Sequence, residues 1–143
     1  MAKVEIEMPD ELIQKIARLG NQTDQIIEKA LTDGAEVVIP IAKSELSRVL
    51  KGSKYSTGQL LGSLGASKVD IDENGISNIK VGFNEPRADG KTNAMIANIL
   101  EYGKSNQPAR PFMRRAKRKS KPLATEAIIR RVEKEVERII GTN

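Results

Sequence analysis

The chain has 143 residues, of which 38% are hydrophobic and 3% aromatic, enough for one compact domain with one sizeable core. It contains no histidine and no cysteine, which excludes imidazole bases, thiol nucleophiles, disulfides and the usual zinc or iron ligands. The formal net charge is +5, but residues 110–121 hold 7 of the 24 basic residues and no acid, leaving 17 basic against 19 acidic elsewhere, or −2.

Lys3 to Met8 alternates Val4, Ile6 and Met8 with Glu5 and Glu7, the pattern of a half-buried edge or hairpin strand. Pro9-Asp10-Glu11 opens a helix, because proline suits the first turn and acids favour its positive end. Leu12, Ile16 and Leu19 mark its apolar face and Gly20 closes it. From Thr23, the residues Ile27, Leu31, Ala35, Val38, Ala42, Leu46 and Val49 recur every three or four positions, which predicts one long amphipathic helix. Pro40 predicts a kink in it, and Gly34 a weak point nearby. No stretch of about 18 apolar residues follows here or elsewhere, and no apolar segment follows a basic start, so neither a membrane span nor export is expected.

Lys51 to Gly58 is polar and glycine-bearing, and is expected to be a loop, while Leu60 to Gly65 fits no single pattern. Ser67 to Ile71 and Ile79 to Phe83 are expected to be strands of a hairpin around Glu73-Asn74-Gly75. The same stretch, DIDENG from Asp70, has the opening of a calcium loop, but the bidentate glutamate expected twelfth is Val81. EPRADGKT, Glu85 to Thr92, lies between a strand and a helix, as phosphate-binding loops do. Glu85 replaces the first glycine, however, and Pro86 removes a backbone donor. No metal and no cofactor is therefore expected.

A short helix from Ala94 to Tyr102 ends at Gly103. The basic segment then precedes Pro122, which is expected in the first turn of a last helix with Ala124, Ile128, Val132, Val136 and Ile139 on one face. That makes the segment a separate short helix or a kinked extension. Charge alone suits nucleic acid, but Phe112 is its sole ring, so the stacking surfaces of single-strand and RNA binders are missing. Paired catalytic carboxylates are not legible; Glu101 is the one acid in an unusual context.

The order of pieces, with TGQLLGSL, ILEYG and PARPFMRRA, resembles the gene-product-ten tail-component family of tailed bacteriophages. Its Thr-Gly-x-Leu-x-x-Ser element maps to Thr57, Gly58, Leu60 and Ser63, and its Leu-Glu-x-Gly helix end to Leu100, Glu101 and Gly103. Its Pro-x-x-Pro-Phe stretch maps to Pro108, Pro111 and Phe112, followed by the basic helix with Arg114, Arg115 and Arg118. Gln59 and Leu61 stand where the family often carries arginine.

The resemblance implies a non-enzymatic structural protein at the neck of the virion, one subunit of a ring joining head and tail and made in the host cytoplasm. Its partners would be copies of itself and neighbouring neck or tail proteins, with DNA in the channel as a further possibility, and no membrane. A nucleic-acid-binding accessory protein is the alternative, and a small carboxylate-dependent hydrolase the third. The expected fold is a single α+β domain over 1–143. A small antiparallel sheet (the N-terminal strand and the hairpin within 57–83) packs on the long kinked helix of 1–50, and 94–143 supplies an amphipathic C-terminal helix.

Overall fold

A computed structural model describes residues 2–51, 58–83 and 92–141. The element order is β1 (Val4–Glu7), α1 (Asp10–Ile16), a 3-10 segment (Ala17–Gln22), α2 (Thr23–Leu50), α3 (Gln59–Gly62), β2 (Leu64–Ala66), β3 (Asp70–Ile71), β4 (Ser77–Phe83), α4 (Asn93–Tyr102) and α5 (Phe112–Ile140). The architecture is α+β. An antiparallel sheet, ordered β1-β4-β2 with β3 also on β4, packs against α2, and α5 lies antiparallel beside α2. No helix among the described residues is long and apolar enough to cross a membrane.

The periodic stripe of α2 is the centre of the core: Leu31, Ala35, Val38, Ala42 and Leu46 are buried against Val4, Ile79 and Val81 of the sheet and Ile128 and Val132 of α5. The helix continues through Pro40, which sits on its exposed side. Gly34 is more than a weak point. A Cβ there would lie 3.1 Å from both Cγ1 and Cδ1 of Ile128, so a side chain at this position would require Ile128 to shift by a few tenths of an ångström.

The hairpin differs from the expected one. Its first strand begins at Leu64, inside the stretch that fits no pattern, and Ser67–Val69 falls outside the ladder. Ala66 pairs with Val81 and Asp70 with Asn78, so three residues face two: β2 and β3 are one strand broken by a bulge. Ser67 accounts for it, since its N–H donates to the Lys80 carbonyl (2.8 Å) while its Oγ accepts the Lys80 N–H (3.0 Å) in place of a backbone carbonyl. At the tip only Gly75 takes a positive φ (79°), and one Asp72 carboxylate oxygen accepts the N–H groups of Asn74 (2.8 Å) and Ile76 (2.9 Å). The calcium-loop reading ends here, because Val81 lies in the core.

The basic segment is the extension of the last helix rather than a separate one, and Pro122 is not in a first turn. It is the first part of α5, which runs unbroken from Phe112 with Pro122 inside it and exposed. Ala116, Ser120 and Ala124 continue the buried face upstream of that proline, and this packing on α2 offsets the amide that Pro122 cannot donate.

Candidate functional site

Four local features hold the start of α5. Gly103 ends α4 with φ 76° and ψ −178°, a region open to glycine alone, and donates its N–H to the Ile99 carbonyl. Lys104 and Gln107 then exchange backbone hydrogen bonds of 2.9 and 3.0 Å, turning the chain back so that the Arg110 N–H donates to the Leu100 carbonyl at 2.6 Å. A Cβ on Gly103 would come within 2.8 Å of the Ala109 nitrogen and the Gln107 oxygen, so glycine is required there for space as well as for conformation.

Glu101 is the second feature. It is 5% exposed, and its carboxylate accepts the N–H of Met113 (2.7 Å) and of Arg114 (3.1 Å), the first-turn donors of α5. A negative side chain from α4 thus caps the positive end of the next helix across the turn. With both oxygens bound to backbone amides, the arrangement is that of a structural carboxylate rather than an acid–base pair.

Phe112 is the third. Its ring is fully buried and meets Phe83 of β4 edge to face at a centroid distance of 6.0 Å. Arg110 is the fourth, donating from Nη1 to the Val49 carbonyl (3.0 Å) at the C-terminal end of α2. Pro111 occupies the residue before α5, and Pro108 is exposed on the turn.

From this mount Arg114 and Arg118 project into solvent and Arg115 is half-buried; none of the three makes an ion pair among the described residues. The other motif forms a separate brace. Gly58 (φ 89°) starts α3, Leu60 is fully buried, and Ser63 donates its hydroxyl to the Leu60 carbonyl (2.8 Å), with α3 packed on α4. Thr57 lies outside the described residues, as does Glu85 to Lys91 of the phosphate-loop candidate; Thr92 caps α4, its side chain accepting the Met95 N–H.

Two buried acids that the sequence did not single out fasten α5 to α2. Glu45 is gripped by Lys119 Nζ at 2.8 Å and by Arg48 at 3.2 Å, and Lys119 above all holds its carboxyl below the usual range. Glu135 takes Lys29 Nζ at 2.8 Å and Arg138 Nε at 2.6 Å, which bring its pKa down to about 2. Between these sites Arg131 Nε meets Asp33 at 2.7 Å, and that contact raises the Arg131 pKa. The available signal was positional: Glu45 falls beside Leu46, and Glu135 three residues after Val132, on the inward side of each helix.

The family model described as "Bacteriophage HK97-gp10, putative tail-component" matches residues 10–103, from the start of α1 to the glycine that ends α4. No curated protein and no solved structure matches. The match spans about two thirds of the chain and takes in the α3 brace, the bulged hairpin and the Glu101–Gly103 helix end, stopping short of the basic helix that this end caps. The chain belongs to the HK97 gp10-like family of bacteriophage tail components.

Proposed function

We propose that this protein is a non-enzymatic structural subunit of the neck or tail-completion ring that joins head and tail. In this reading the basic half of α5 is the surface it docks onto a neighbouring subunit or neck protein. The family supports a structural role in the virion. The observation that carries the finer reading is the Glu101 cap on Met113 and Arg114, which with buried Phe112 fixes the direction in which Arg114 and Arg118 point. A fixed row of cations lets identical copies meet a partner in register, which closed symmetry requires.

The test is the triple variant Arg114→Ala, Arg115→Ala, Arg118→Ala, assayed for ring and virion formation beside the products of the neighbouring genes. Loss of assembly with an intact fold is expected, and unimpaired assembly overturns the docking role. Three cations without an ion pair among the described residues also suit DNA passing through the ring. If DNA is what they meet, the isolated protein binds duplex with a salt slope of about −0.9 per phosphate neutralised, and the variant lowers that slope.

A further inference from the structure

Among the described residues the sheet has an open edge at β1, and the groove beside it is lined by the four consecutive residues Val4 to Glu7. Successive side chains of a strand point to opposite faces, so four in a row can share one groove only if the backbone edge forms its wall. Two hydrogen bonds fix which groups that edge offers. The Met8 N–H donates to the Ser77 carbonyl across the β1–β4 ladder, while the Ser67 N–H donates to the Lys80 carbonyl on the other side of β4. Lys80 is the cross-strand partner of Glu5, so alternation turns the backbone N–H and C=O groups of Glu5 and Glu7 away from β4, into the groove.

The opposite wall is α5, which presents Lys117 and Lys121 one turn apart, and the floor is Val38, Ala124 and Ile128. Neither lysine makes an ion pair among the described residues. On the outer face of the sheet the charge is reversed, where carboxylate oxygens of Glu5, Glu7 and Asp72 lie within 4.8 Å of one another.

We propose that this edge is a strand-addition site for an extended segment of a partner protein that carries a carboxylate at every second residue. Its helix-facing residues set those carboxylates against Lys117 and Lys121. The residues between, which lie beside Glu5 and Glu7 on the outer face, are neutral or basic. Main-chain pairing with Glu5 and Glu7 supplies the affinity, and the two charge rows set the frame of the segment. A second copy of β1 is the wrong occupant, because antiparallel pairing would place Glu5 and Glu7 against their own counterparts. The site is independent of the ring reading, since none of Arg114, Arg115 and Arg118 lines it and the isolated protein contains all of it.

The probe is a terminally blocked decapeptide alternating threonine with glutamate, titrated into the full chain while amide hydrogen exchange is followed. Binding is expected to slow exchange of the Glu5 and Glu7 amides by at least about tenfold at saturation. A peptide with the glutamates in one block is expected not to bind. The double variant Lys117→Glu, Lys121→Glu, with its fold checked by circular dichroism, is expected to weaken binding at least about tenfold. Two further probes need no protein variant: N-methylation of all threonines and of all glutamates removes amide donors from opposite edges of the peptide, so one of the two must lose binding and the other keep it. Absence of binding by the alternating peptide, unchanged exchange at Glu5 and Glu7, or equal binding of both methylated forms would each overturn the proposal.

Discussion

Glu101 and Met113 are joined by a 2.7 Å hydrogen bond from the Met113 amide to the Glu101 carboxylate, both residues buried, so that the end of one helix sets the start of the next. Removing the carboxylate leaves the Met113 and Arg114 amides without their acceptor. Glu101→Ala is expected to cost about 2–3 kcal/mol in urea unfolding, and Glu101→Gln, which keeps one acceptor oxygen, about 1 kcal/mol. If Glu101→Ala unfolds like the native protein, the cap is not what orients α5.

Gly103 offers a comparison within the same molecule. Gly103→Ala meets two backbone atoms at 2.8 Å in addition to its unfavourable φ, and backbone cannot step aside as a side chain can. It is expected to cost at least about 3 kcal/mol. Gly75→Ala, with a similar φ of 79° but nothing within 4 Å, is expected to cost only about 1 kcal/mol. Equal losses at the two sites would mean that the turn of 104–109 does not pack against Gly103 as described.

Glu135 makes stability depend on acid pH. Lys29 and Arg138 lower its folded pKa to about 2 from an ordinary 4.5, so the folded state favours the charged form. The contribution is fully present above about pH 4.5 and is lost as pH falls towards about 2. Its cations are half-exposed, so salt reduces the effect. Glu135→Gln is expected to cost about 2 kcal/mol at neutral pH and to flatten the acid limb of the melting-temperature profile. The Arg114, Arg115 and Arg118 alanine variant is expected to stay within about 1 kcal/mol of the parent, since the three make no ion pair among the described residues and only Arg115 is half-buried.

The long helix was legible because α2 carries an unbroken 3.6-residue stripe from Ile27 to Val49, all of which is buried. The stop at Gly103 was legible because a glycine directly after an apolar helix end has few alternatives. The bulge was not, because it depends on the Ser67 hydroxyl taking the place of a carbonyl, and nothing in one serine announces that. Pro122 was expected in a first turn because local propensity favours proline at a helix start, and packing on α2 carries the helix through it instead. The Glu101 cap lay between, marked as unusual by its context while its acceptor role depended on the fold.

Gly34 and Ile128 are predicted to be energetically coupled. Alanine in place of a helical glycine gains about 1 kcal/mol of propensity, but its methyl would sit 3.1 Å from Ile128 Cδ1 and Cγ1, too close without a small shift. Gly34→Ala alone is therefore expected to fall within about 1 kcal/mol of the parent, the helical gain set against the crowding. Ile128→Val alone removes Cδ1 from a fully packed site and is expected to cost about 1 kcal/mol. Together the added methyl fills part of the space that the removed one leaves. Valine keeps Cγ1, so the relief is partial, and the double variant should be more stable than the sum of the two single changes predicts, with a coupling of about 0.5 kcal/mol in a double-mutant cycle by chemical denaturation. Strict additivity of the two changes would show that α2 and α5 do not cross at these residues.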